Sequence, residues 1–240
     1  MSALAHLIEH RGIATVAIGL IRLHMEKVRP PRGLFVPFEL GRPLGEPQDA
    51  AFQRRVLLAA LRLMERDDGP VVLEDYAESA PGQLPAADWQ PAVVLPAITA
   101  PRDGATAWEW TQALKAELAA VLPAWDRGHT VRGTTTVGVG RLPVEAWPSL
   151  ICAFLDGKAP DASPLPDLRA IQAARYVIDD LKALYTEAAV APGTRPASAQ
   201  VLDWFWNRTI AARLIQAVRR ACLASDDKVL NIVGGNQLLP

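Results

Sequence analysis

The segment Gly41-Arg42-Pro43-Leu44-Gly45 has the residue types and the placement of an anion cradle. Glycines let a backbone approach a ligand closely, and an arginine supplies a forked donor that matches a carboxylate. The loop follows the apolar run Leu34-Phe35-Val36-Pro37-Phe38 and precedes a helix that begins near Asp49. In a parallel α/β layer, loops at the carboxyl ends of strands open the ligand crevice, and the next helix offers unpaired N–H groups. Arg42, with the backbone of Gly41 and Gly45, is therefore the candidate holder of an anionic group. Arg29 and Arg32, flanking Pro30-Pro31, are candidate support, and His24 is the candidate proton carrier. The plainer reading of the same residues is a proline-stiffened surface turn among solvated charges.

Other chemistry-bearing residues point away from several reactions. His6 and His10 have the spacing of a metal pair, but a short terminal helix is a poor platform, and no metal or other cofactor is expected. Cys152 and Cys222 stand among apolar residues with no CxxC, which reads as two buried free thiols. No serine occupies a Gly-x-Ser-x-Gly elbow, so acyl transfer has no support. Gly138-Val139-Gly140 is a lone GxG, too short a signature for a nucleotide, and Asp126-Arg127-Gly128-His129 reads as a turn. Asp203-Trp204-Phe205-Trp206 packs aromatics side by side in a helix. Each residue turns about 100°, so they cannot share one face. Trp204 and Trp206 are thus candidates for another helix, a ligand or a homo-oligomer contact.

The elements that must position these groups alternate through the first third of the chain. Leu4, Leu7 and Ile8 mark a helix ending at Gly12. Strands are expected near 13–18, 34–38 and 71–74, with helices over 20–28 and 49–66 between them. Helix and strand in turn predict a parallel sheet. Asp75 to Asp103 carries Pro81, Pro85, Pro91, Pro96 and Pro101 and reads as a long connection, with Ala92-Val93-Val94-Leu95 its one strand-like run. Helices are then expected over 106–121, 144–155, 167–189 and 197–224. The fold expected is α/β: a small mainly parallel sheet flanked by helices over residues 1–100, followed by a helical region over 101–240.

The chain has 240 residues, half of them hydrophobic and 21% charged, and a net charge of −1. That is globular composition without the basic excess of a nucleic-acid binder. The longest apolar stretch near the start, Gly12 to Ile21, is too short for a bilayer, and no signal peptide is expected, so a cytoplasmic setting is.

Taken in order, Gly12-Ile13-Ala14-Thr15-Val16, Arg29-Pro30-Pro31-Arg32, Val36-Pro37-Phe38, Leu40-Gly41-Arg42-Pro43 and the arginine-bearing helix at Phe52-Gln53-Arg54-Arg55 resemble the N-terminal segment of the glycine/sarcosine/betaine and D-proline reductase selenoprotein B family. The resemblance covers about 60 residues, and implies binding or transformation of a small amino-acid-like or carboxylate-bearing molecule. The family cleaves a C–N bond reductively with a selenocysteine or cysteine. In some relatives the first strand ends in cysteine, whereas here it ends Ala17-Ile18-Gly19, so the soft nucleophile is missing. The expected partner is a small anionic or zwitterionic molecule, with no nucleic acid and no membrane. The alternative is a non-catalytic interaction or regulatory protein.

Overall fold

The computed structural model describes residues 2–69, 71–80, 86–102 and 104–238; Pro70, Pro81, Pro85 and Asp103 lie outside the described residues. The chain divides into two compact units, Met1–Ala86 with Pro196–Ser198, and Ala87–Arg195 with Ala199–Pro240.

The first unit is α/β. Helices α1 (Ser2–Glu9), α2 (Arg22–Val28) and α3 (Ala50–Arg62) alternate with strands β1 (Ala17–Gly19), β2 (Arg32–Phe35) and β3 (Val72–Asp75). The strands form one parallel sheet in chain order, Ala17 opposite Gly33 and Arg32 opposite Val72. β1 is shorter than its apolar run because Glu9 accepts both the N–H and the hydroxyl of Thr15, which ties residues before Val16 to α1. β2 starts earlier than its apolar run, at Arg32, and Pro37, with no N–H, stops the ladder just after Val36 donates to Gly19. α2 ends at Arg29, held at φ 43° before the two prolines. α3 is capped by Asp49, which accepts the Phe52 N–H. Its Phe52, Val56 and Ala60 pack under Leu34, Val36 and Val72 to make the core of this unit.

The second unit is helical: α4 (Ala107–Arg132), α5 (Trp147–Cys152), α6 (Ala170–Ala189), α7 (Ser198–Arg208), α8 (Ile210–Leu223) and α9 (Lys228–Asn236). Residues 92–95 are not a strand. They bend, Val93 joins the helical core and the Ala92 N–H donates to the Ala189 carbonyl, which is why the division falls at residue 86 rather than near 100.

α4 runs through Pro123 and Gly128, where the sequence suggests a stop and a turn. Pro123 and Ala119, whose carbonyl loses its donor, both lie on the exposed face, where that loss costs least. Gly128 gives room to Arg132, whose guanidinium folds back 2.9 Å from where a Cβ would stand and reaches Glu187. The helix expected over 197–224 is instead two. Thr209 leaves the helical region (φ −105°, ψ 148°) and caps α8 by accepting the Ala212 N–H. Among the described residues no helix is long and apolar enough to cross a membrane.

Candidate functional site

β2 separates the arginines singled out by sequence. Arg29 and Arg32 stand at its amino end, and Arg42 lies beyond its carboxyl end. Arg29 closes α2, and its carbonyl accepts a hydrogen bond from the His6 ring. Arg32 donates to both oxygens of Glu9 at 2.7 and 2.8 Å and to the Arg66 carbonyl. Burial raises the Glu9 carboxyl, but the bonds from Thr15 and Arg32 outweigh it and hold it below the ordinary range. His24 is exposed on α2. His10 is engaged with the His6 carbonyl, and among the described residues no three His, Cys, Asp or Glu side chains gather as metal ligands.

The Gly41–Gly45 loop is built as a turn. Arg42 is paired with Glu39 at 3.4 Å and Glu46 at 3.2 Å, so its charge is matched twice over. The Arg42 N–H donates to the Glu39 carbonyl, and the Gly45 N–H to the Arg42 carbonyl. Gly45 has φ +86°, and a Cβ there would sit 2.5 Å from the Phe52 ring. Both its conformation and its contact require glycine.

The carboxyl end of β3 offers a different arrangement. A cleft of about 370 Å³ runs between β3 and the end of α3. Its apolar floor is Leu34, Ala59 and Leu63, and its walls carry Arg62, Arg66, Glu74, Asp75, Tyr76 and Glu78. Most of these charges are already paired. Arg66 binds Asp68 and Glu74, and Arg22 binds Asp75 at 2.8 Å. Arg55 forks onto Glu78, which also accepts the Tyr76 hydroxyl at 3.0 Å. Arg55 and the Tyr76 hydroxyl hold the Glu78 carboxyl below its ordinary range, while burial and the Glu78 charge push the Tyr76 phenol up.

Arg62 stands apart from this network. Among the described residues its exposed side chain has neither an ion pair nor a hydrogen bond. A free guanidinium beside paired carboxylates, over an apolar floor, suits a ligand with one negative and one positive group. Sequence reasoning missed this cleft. The same rule about strand ends, applied to Tyr76 and Glu78 after the apolar run ending at Leu73, points to it.

The position where a thiol would be sought is filled. A Cβ on Gly19 would lie 2.0 Å from the Met25 sulfur, and one on Gly33 in the adjacent strand 2.6 Å from the Met25 methyl. Two glycines thus make a slot that the buried Met25 thioether fills. Cys152 and Cys222 are free, buried and in the helical unit. Burial pushes the Cys152 thiol up, and burial with the Asp227 charge pushes Cys222 up to about 11.

In the helical unit, Trp204 and Phe205 are core and Trp206 is half-buried, as the turn per residue requires. Trp204 lies 6.4 Å from the Tyr185 ring. The Gly138-Val139-Gly140 backbone does form an anion nest, and the chain fills it. Asp180, 1% exposed, accepts all three N–H groups at 2.8 to 2.9 Å. Glu117 plays the same part at the start of α8, accepting the Ile210 and Ala211 N–H groups and the Tyr185 hydroxyl.

No family model, no curated protein and no solved structure matches the chain.

Proposed function

We propose that this protein binds a small zwitterionic molecule of the amino-acid or betaine class in the cleft beside β3, as its resemblance to the selenoprotein B family implies, and does so without thiol-based reduction. The unpaired Arg62 in a cleft of otherwise paired charges carries this reading. The ligand carboxylate meets Arg62, and its cationic end lies among Glu74, Asp75 and Glu78. The cleft's volume sits at the low end of small-molecule sites, which suits a ligand of this size. A thiolate mechanism is disfavoured by the raised, buried cysteines and by the thioether that occupies the space at Gly19.

Calorimetric titration with glycine, proline, glycine betaine and acetate tests it. The zwitterions should bind, and acetate more weakly. Arg62→Gln should weaken binding roughly 10- to 150-fold, the scale of one charged hydrogen bond of about 1.5–3 kcal/mol. Arg42→Lys, at a residue already paired twice, should change it less than about two-fold. Loss in Arg42→Lys with no effect of Arg62→Gln would move the site to the Gly41–Gly45 loop. No saturable heat with any of the four would overturn the binding reading.

A further inference from the structure

Arg175, Asp179 and Lys182 follow one another along α6 at spacings of four and three, so they share a face. Asp179 is the one carboxylate paired with both cations, and it holds them loosely: 3.7 Å to Arg175 and 4.0 Å to Lys182, beyond hydrogen-bonding distance. Lys182 places its amine 5.8 Å from the centre of the Trp206 ring on α7. These three side chains carry two positive charges against one negative; the neighbouring Asp180 carboxylate, which also acts on Asp179, is engaged by the Gly138, Val139 and Gly140 N–H groups.

Its donors outnumber its acceptors as well. The Arg175 Nε and Trp206 Nε1 atoms are both buried, and neither has a hydrogen-bond partner among the described residues. The Lys182 amine has the distant Asp179 oxygen and the ring face, and no hydrogen bond among the described residues. A buried N–H without a partner costs roughly 1–3 kcal/mol, and native structures contain few of them. Two in one cluster, together with an amine that lacks an acceptor, mark an acceptor that the described residues do not supply. The side chains of Arg175, Asp179 and Lys182 are 37%, 38% and 22% exposed, so solvent-borne ions reach them. Burial pushes the Lys182 amine down and the Asp179 carboxyl up, as expected for charges short of compensation.

We propose that Arg175, Lys182 and Trp206 form a second ligand site, on the helical unit, for an oxyanion: a carboxylate or phosphate group whose oxygens accept from the indole and the two cations. Arginine and indole donors with a lysine point charge are the usual partners of such a group.

Full-length protein labelled with ¹⁵N at the tryptophan indoles, seven in the chain, tests this by titration with sodium phosphate and, separately, sodium acetate at constant ionic strength. The Trp206 indole N–H signal, assigned with Trp206→Phe, should move saturably in at least one salt. Saturation in phosphate alone identifies a phosphate site, and saturation in acetate a carboxylate site. The movement should vanish in Arg175→Gln/Lys182→Gln and persist in Lys182→Arg and in Arg62→Gln, which keeps this site distinct from the cleft beside β3. No saturable movement of wild type in either salt overturns the proposal, even where the double variant fails to fold. So does equal movement of all the indole signals, or movement that survives in a folded double variant.

Discussion

Replacing Asp180 with asparagine changes one atom in a nest that the chain fills with its own carboxylate. Oδ1 accepts the Gly138 and Val139 N–H groups at 2.8 and 2.9 Å, and Oδ2 accepts the Gly140 N–H at 2.8 Å. An asparagine with its carbonyl at the Oδ1 place keeps the first two bonds and turns an NH₂ toward the buried Gly140 N–H. One charge-assisted bond is lost and two donors face each other. The expected cost is about 2–3 kcal/mol, against about 3–5 kcal/mol for Asp180→Ala, which orphans all three groups. The loop has little room to adjust, because a Cβ on Gly140 would already stand 3.2 Å from the Val177 Cα. Urea denaturation should show a lower midpoint at unchanged slope. Hydrogen exchange should accelerate at Gly138, Val139 and Gly140 while the centre of α6 stays protected. A loss under about 0.5 kcal/mol in Asp180→Asn, or no change in exchange at those amides, would refute the idea that this carboxylate holds the loop.

Three further outcomes follow from the same contacts. Gly19→Ala should destabilise the protein by about 1–3 kcal/mol through the Met25 sulfur, and Met25→Ala should offset part of that loss, both read from denaturation midpoints. Glu117→Leu should cost about 3–5 kcal/mol, because the Ile210 and Ala211 N–H groups and the Tyr185 hydroxyl are left buried without an acceptor; thermal unfolding checks it. The Glu9 carboxyl is held below its ordinary value of 4.5, so its contribution is present above that pH and fades as pH falls through the lowered value. Glu9→Gln should accordingly lower stability at neutral pH and flatten its decline on acidification, measured as denaturation midpoints from pH 6 to about 3.

Period and punctuation in the sequence determined the α/β start, the parallel order of the strands and the helices that follow, because each depends on neighbours a few residues away. The apolar runs at 13–18, 34–38 and 71–74 overlap β1, β2 and β3, and Asp49 caps α3 where its side-chain chemistry favours a helix start. The adjacent aromatics at 204–206 had to diverge, and they do.

What the sequence left undecided depends on distant partners. The charge of a side chain says nothing of its pairing: Arg42 meets two carboxylates within its own loop, whereas Arg62 meets none among the described residues. Arg29, Arg32 and Arg42 are close along the chain, yet β2 runs between them and sets Arg29 and Arg32 at its amino end and Arg42 beyond its carboxyl end, despite their proximity in sequence. The break at Thr209 carries neither glycine nor proline, and it is stabilised by Glu117, a residue of α4. The nest at 138–140 is closed by Asp180 on α6. In each case the deciding bond joins residues that only the folded chain brings together, and burial makes that bond costly to leave unmade.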